Sequence, residues 1–268
     1  MSATPGIVEV RSWKGRLVLQ IIITIVALAF ALPLYWTIRY SLVGSGLGNY
    51  AVVLSNPELP LFFLNSAIIA AGTIAVTFVC TMLCSFALAK LKLRWKEGFF
   101  YLLLIALTMP TAVLTVPLFV TIQHLGLFNT YWAVILPISA LTIPFNVLLA
   151  RGYIAELPDE LLEAARIDGC STFGLFRMII LPLVKPISAV IVVWTLITAW
   201  NEYLLPLIFL QDPSKQTVTL LPQFFEGQFG SDQGKIVAAA VIALAPEVIA
   251  YVFAQRWFER GLTAGAIK

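Results

Sequence analysis

The chain has 268 residues and a net charge of +3; 60% of its residues are hydrophobic, 12% are charged, and the mean hydropathy is +0.93. A soluble domain carries roughly 25% charged residues. Half that share, set among long apolar runs, excludes a water-soluble globule and predicts a single all-α integral membrane domain over residues 1–268; the small net charge gives no electrostatic footprint for nucleic acid.

Six apolar segments are long enough to cross roughly 30 Å of hydrocarbon. They are 17–38, 61–88, 99–121, 131–150, 187–209 and 236–255. The first follows Arg11, Lys14 and Arg16, a pattern shared with signal peptides. It lacks a small-x-small cleavage site, so an uncleaved first span is expected. Pro33, Pro110, Pro117, Pro137, Pro144, Pro206 and Pro246 fall inside these segments and predict kinked helices, whose freed carbonyls are satisfied by neighbouring groups. With the N-terminus inside, 14 Lys and Arg residues lie on the inner side and 3 (Arg39, Lys215 and Lys235) on the outer side. That asymmetry predicts six transmembrane helices with both termini cytoplasmic. Residues 151–186, between the fourth and fifth spans, then form a cytoplasmic loop, and the outer segments are too short for a separate domain.

Neither catalysis nor metal binding is indicated. Cys80 and Cys84 share one face of an apolar helix, Cys170 lies in the polar loop, and the single histidine, His124, has no cysteine or carboxylate near it in sequence. A phosphate loop requires G-x-x-x-x-G-K-[ST]. The nearest candidate, Gly234-Lys235, has Phe229 and Ile236 at the first-glycine and hydroxyl positions and falls on the outer side. No catalytic residue and no cofactor is assigned to this chain.

The polar loop carries its own local instructions. Pro158 suits a first helical position, and Asp159 and Glu160 suit the positive end of the helix dipole. Leu161, Leu162 and Ala165 gather on one side of this helix. Gly169 sits where a left-handed C-terminal turn is wanted, and Ser171 can cap a second helix running to Ile180 and stopped by Pro182. A short helix, a glycine turn and a second helix leading into the fifth span are therefore expected.

The spacing Glu163-Ala164-Ala165, three residues, Gly169, nine residues, Ile179, one residue, Leu181-Pro182 resembles the EAA loop of bacterial ABC-importer permeases at all seven fixed positions. "NSAIIA" from Asn65, "LTMPTAVLTVPLF" from Leu107, "AWNEYLLPL" from Ala199 and "QRWFERGLTAGAIK" from Gln255 are similar to binding-protein-dependent sugar permeases, in particular the smaller permease subunit of the maltose type. The resemblance runs from about residue 15 to the end; the outer segment after span one is shorter than in that family.

The resemblance implies a type I importer fold in the bacterial inner membrane, working by alternating access. It implies four kinds of partner: a homologous second permease, two ATPase subunits holding ATP and Mg, an extracytoplasmic solute-binding protein, and membrane lipid. Glu163, Ala164, Ala165, Asp168, Gly169, Leu181 and Pro182 would form the coupling element seated in an ATPase cleft, with Glu163 paired to a basic group there. The tail 256–268 resembles an arm into the ATPase interface, extended through Gly261, Leu262, Thr263 and Gly265. The substrate class implied is a sugar, oligosaccharide or polyol derivative. Amino acid or phosphate import is the alternative, against which the sugar-type ending argues. An ion-coupled transporter would need carboxylates deep in the spans, and Glu247 is the one clear candidate.

For the pathway, Asn201, Glu202 and Tyr203 in "AWNEYLLPL" can hydrogen-bond hydroxyls, and Trp200 offers a flat face to a sugar ring. Helix–helix polar contacts or an interfacial belt are the competing roles. Glu247, after Pro246 in the last span, is expected to face the translocation path and bind a polar or cationic part of the substrate.

Overall fold

The computed structural model describes residues 13–227 and 230–264. It is helical apart from a two-residue antiparallel ladder pairing Glu226 with Ser231 and Gly227 with Gly230. The elements are α1 (Trp13–Ser41), α2 (Gly48–Leu54), α3 (Leu59–Lys90), α4 (Lys96–Ala106), α5 (Thr111–His124), α6 (Trp132–Ala155) and α7 (Asp159–Ile167). There follow α8 (Thr172–Gly174), a π-helical stretch (Leu175–Ile180), α9 (Leu181–Leu183), α10 (Lys185–Trp200), α11 (Leu204–Phe209), two 3-10 segments (Pro213–Lys215 and Val218–Phe225) and α12 (Gln233–Ala264).

Four helices are individually long and apolar enough to cross a membrane: α1, α3, α6 and α12 over Gln233–Phe253. Two further crossings arise only if a bent pair counts as one span, α4 with α5 at 105° and Thr172–Leu183 with α10 at 80°. The expected continuous third span is thus broken at residues 107–110. Pro110, extended at φ −71° and ψ 131°, is the residue before α5, and a proline disfavours helical geometry in the residue ahead of it.

α3 and α6 form the centre of the bundle, with α10 beside them. Gly72 lies against Ile135 of α6: a Cβ there would lie 2.6 Å from Cδ1 of Ile135, so a larger residue requires that side chain to shift. The interior is layered. One apolar cluster joins Phe62, Ile69, Ile135, Ile138, Trp200, Phe209 and Leu221; another joins Met82, Phe86, Ile154, Leu162, Phe176, Ile180 and Ile191. Between them lies a buried belt of Thr73, Thr77 and Thr81 from α3, Ser139, Thr142 and Asn146 from α6, and Thr195 from α10. Thr77 meets Thr142 at 3.3 Å and Asn146 donates to Thr195 at 3.2 Å. The Thr73, Thr81 and Ser139 hydroxyls and Oδ1 of Asn146 have no hydrogen-bond partner among the described residues.

α1 stands apart. It lies along α12, and Ser41 is its single buried residue. Its hydroxyls bond its own carbonyls, Thr24 to Gln20 and Thr37 to Pro33, which suits a helix surrounded by lipid. At the other end of the bundle, buried Asn65 donates to the carbonyls of Ser214 and Gln216 and accepts from the Tyr131 hydroxyl, pinning the 3-10 segments onto α3.

Candidate coupling element and translocation site

α7 begins at Asp159, with Pro158 as the residue before it (φ −58°, ψ 132°) rather than the first helical residue. The turn that ends α7 is closed by two backbone bonds: Cys170 N–H donates to Ala165 C=O at 2.9 Å and Gly169 N–H to Arg166 C=O at 3.0 Å. This is the Schellman pair, and it needs a left-handed residue at Gly169, which has φ +82°. Asp168 is the C-cap. Ser171 caps α8 as expected, accepting from Gly174 N–H at 3.1 Å.

Two further details differ from the sequence expectation. Leu162 and Ala165 pack on the inner apolar cluster while Leu161 stays exposed, so the three do not share one side. Pro182 does not stop the second helix, which continues to Leu183 before bending 80° into α10. The π-helical stretch just ahead of Pro182 rearranges the hydrogen-bond ladder where proline supplies no donor and its ring would crowd a carbonyl.

α7 is fastened from above. Lys90, at the end of α3 with only 5% of its side chain exposed, donates to Oδ1 of Asp159 at 2.7 Å and to the carbonyls of Leu157 and Ala155 at 2.6 and 3.3 Å. One lysine closes the negative end of α6 and the positive end of α7 together. Beside it, Arg151 makes a two-pronged contact with Glu97 at 2.6 and 2.8 Å and lies 3.8 Å from the Phe100 ring centroid. In the sequence Lys90 is one inner-side charge among many; nothing in its local sequence points to a partner sixty-nine residues on. The opposite face of α7 is open: Glu163 and Ala164 are exposed, Glu163 has no ion pair among the described residues, and Ile167 is 87% exposed.

The second polar region is a break in the expected fifth span. α10 ends at Trp200 and α11 starts at Leu204. Pro206 cannot donate to Glu202 C=O four residues back, and its ring crowds that carbonyl. The carbonyl turns instead to Thr219 Oγ1 at 3.0 Å, while the Glu202 carboxylate accepts from Leu205 N–H at 3.0 Å. Tyr203 Oη pairs with Gln223 Nε2 at 2.6 Å. Asn201 Nδ2 reaches Glu247 Oε2 at 2.8 Å, so the carboxylate of α12 is half-buried against an amide. Trp200 does not offer a free ring face. It is buried, its ring packs 6.2 Å from Phe63, and its indole N–H donates to Ala243 C=O at 3.0 Å.

The expected tail arm is also altered at its start: Gly261, Leu262 and Thr263 continue α12, which runs to Ala264, and Gly265 lies outside the described residues. Among the described residues no group of His, Cys, Asp and Glu is arranged to hold a metal.

The sequence profile of the family described as binding-protein-dependent transport system inner membrane component matches residues 81–264, well over half of the chain. The chain belongs to this family. This permease is 32% identical over 272 residues to the probable ABC transporter permease protein YurM of Bacillus subtilis (strain 168), across 96% of this chain and 91% of the relative. It is 33% identical over 222 residues to the sulfoquinovosyl glycerol transport system permease protein SmoH of Agrobacterium fabrum (strain C58), across 83% of this chain and 78% of the relative. Its fold is similar, with a TM-score of 0.78 and 19% identity, to a chain in the crystal structure of a bacterial ABC transporter involved in the import of the acidic polysaccharide alginate; the match covers 95% of this chain and 100% of that one. The permease is therefore a translocation component of the inner membrane rather than an enzyme, and α7 with its glycine turn is its EAA motif.

Proposed function

We propose that this permease is one membrane half of an ATP-driven importer of a neutral or amine-bearing carbohydrate. It crosses the membrane six times, each bent pair serving as one broken span, with both termini in the cytoplasm, as the distribution of Lys and Arg supports. It works with a homologous permease, two ATPase subunits that hold ATP and Mg, and an extracytoplasmic solute-binding protein.

The observation that carries this reading is the open face of α7. A helix clamped at both ends presents Glu163, Ala164 and Ile167 outward. The small Ala164 permits close approach, Ile167 supplies apolar contact and Glu163 meets a basic group in the ATPase cleft. Closure of the ATPase pair pushes α7, and the stiff turn at Gly169 passes the displacement to Leu181, Pro182 and the bend into α10. The far end of α10 is the break at residues 201–203, so the same displacement opens or closes the polar region there. Asn201, Tyr203 and Glu247 supply hydrogen-bonding groups for hydroxyls, Glu202 holds the break, and the negative charge of Glu247 favours neutral or cationic sugars over acidic ones. Gly261, Leu262, Thr263 and Gly265, at the end of α12 and beyond, approach the ATPase interface. The carbohydrate class rests on the names of the relatives and on this hydroxyl-binding chemistry.

The test is ATP-dependent uptake by the complete complex and its binding protein in proteoliposomes, offered neutral, amino and acidic sugars, an amino acid and phosphate. Uptake of neutral or amino sugars is expected. Uptake of the amino acid or phosphate with no sugar transported overturns the proposal.

A further inference from the structure

The corner between α3 and α4 holds a feature that coupling and translocation leave unused. Residues 92–96 read K-L-R-W-K. Lys90 just before them is consumed by Asp159 and two carbonyls, and Glu97 just after them is consumed by Arg151. Lys92, Arg94 and Lys96 have no carboxylate partner among the described residues. Three positive charges thus stand together at the end of a membrane helix.

Beside them opens a cavity of about 270 Å³ lined by Cys84, Ala87, Leu88, Leu93, Trp95 and Phe99. Lys96 is its one charged lining residue. Trp95 is 76% exposed, with the Arg94 guanidinium 6.0 Å from its ring centroid. Farther along α4, Tyr101, Leu102 and Ile105 are also exposed. An apolar hole at a span end, a cationic rim and an exposed tryptophan are the complement of an amphiphile with a negative head.

We propose that this corner binds an anionic glycerophospholipid, with part of an acyl chain in the cavity and the phosphate between Lys92, Arg94 and Lys96. A protein segment would need carboxylates set against three cations and an apolar side chain in the cavity together. A phospholipid supplies both from one molecule that is always present at that depth. The same corner carries Lys90, so the bound lipid sits against the fastening of α7 and is placed to influence how firmly the coupling element is held.

The test uses the complete transporter complex equilibrated with equal amounts of phosphatidylglycerol and phosphatidylcholine, and counts retained lipid by native mass spectrometry. Wild type should retain phosphatidylglycerol in preference. Each of Lys92→Gln, Arg94→Gln and Lys96→Gln should cut that preference about fivefold, and the triple variant should lose it while still assembling. Ala87→Trp, which fills the cavity, should lower retention of both lipids. Equal retention of the two lipids by wild type, or an undiminished preference in the triple variant, overturns the proposal. So does loss of the preference on adding inorganic phosphate at constant ionic strength, which would mark a simple anion site, or crosslinking of position 95 to a protein subunit in place of lipid.

Discussion

Lys90 Nζ and Asp159 Oδ1 lie 2.7 Å apart, joining the last residue of α3 to the first residue of α7. The lysine is buried and the aspartate exposed, so the pair is asymmetric: its larger task is to satisfy the Leu157 and Ala155 carbonyls at the end of α6. Lys90→Met keeps the apolar stem and removes the donors. It should destabilise this corner by about 0.5–1.5 kcal/mol, the net worth of hydrogen bonds to carbonyls that water can partly reach. In the transporter it should lower transport per ATP hydrolysed more than it lowers ATPase co-purification. Lys90→Arg should restore part of the coupling. An unchanged transport-to-ATP ratio in Lys90→Met would show that α7 needs no tie to α3.

The same contact fixes a pH dependence. The hydrogen bond from Lys90, and secondarily its charge, holds the Asp159 carboxyl below the usual aspartate range. A carboxylate lowered on folding contributes stability above its unfolded value, about 3.9, and loses it as pH falls through the lower folded value. Hydrogen exchange of the α7 amides should therefore show no titration of this contact between about pH 5 and pH 8. Asp159→Asn should show weaker protection across that window.

Gly169 at φ +82° closes the coupling turn. Gly169→Val forces a β-branched residue into left-handed geometry at a cost of roughly 1–2 kcal/mol or more. Space is not the obstacle, since a Cβ there meets no atom within 4 Å. Reduced transport with weakened ATPase co-purification is the expected result, and Gly169→Asn should be milder because Asn tolerates the left-handed region. Glu163→Lys should weaken co-purification without altering the fold, because the side chain is exposed.

Asn201 and Glu247 tie the end of α10 to α12. Glu247→Gln preserves the shape and an amide-compatible hydrogen bond but removes the charge. Uptake competition in proteoliposomes should then shift toward acidic sugars, while Glu247→Ala should lose affinity for all of them. Identical substrate preference in both variants, with normal assembly, would assign Glu247 to helix packing alone.

The buried belt makes a prediction about stability. Thr81 Oγ1 has no partner among the described residues, whereas Thr142 Oγ1 donates to Ile138 C=O at 2.8 Å and meets Thr77. Thr81→Val should be neutral or stabilising, since an unpaired hydroxyl is removed at nearly constant shape. Thr142→Val should cost about 0.5–1.5 kcal/mol. Thermal unfolding of the two variants in detergent separates the cases.

Long-range order and local order were unequally legible. The EAA loop could be read because its instructions are local: an acidic start, a glycine for the left-handed turn and a serine cap all act within a few residues. The breaks at residues 107–110 and 201–203 were hidden inside apolar runs that hydropathy joins into continuous spans. Pro110 and Pro206 mark them, but proline is common in membrane helices, and whether it bends or breaks one depends on who accepts or supplies the displaced hydrogen bond. At 202 that partner is Thr219, seventeen residues away. Trp200 reads as a sugar platform from composition and is buried because Phe63 and Ala243 reach it from other helices. The threonine ladder was available in principle, as Thr73, Thr77 and Thr81 repeat every four residues.

The break at residues 201–203 is held from within. Asn201 N–H and its side-chain amide both bond Ile197 C=O, Glu202 C=O has Thr219, Leu205 N–H has the Glu202 carboxylate and Leu207 N–H has Tyr203 C=O. A solute bound there, as proposed above, would find a gap already shaped and would have no helix to unwind. What it gains on arrival is not spent on ordering the chain. Discrimination among solutes at this point should then rest on how well their own polar groups match a preformed template, and related solutes should differ mainly in how quickly they leave.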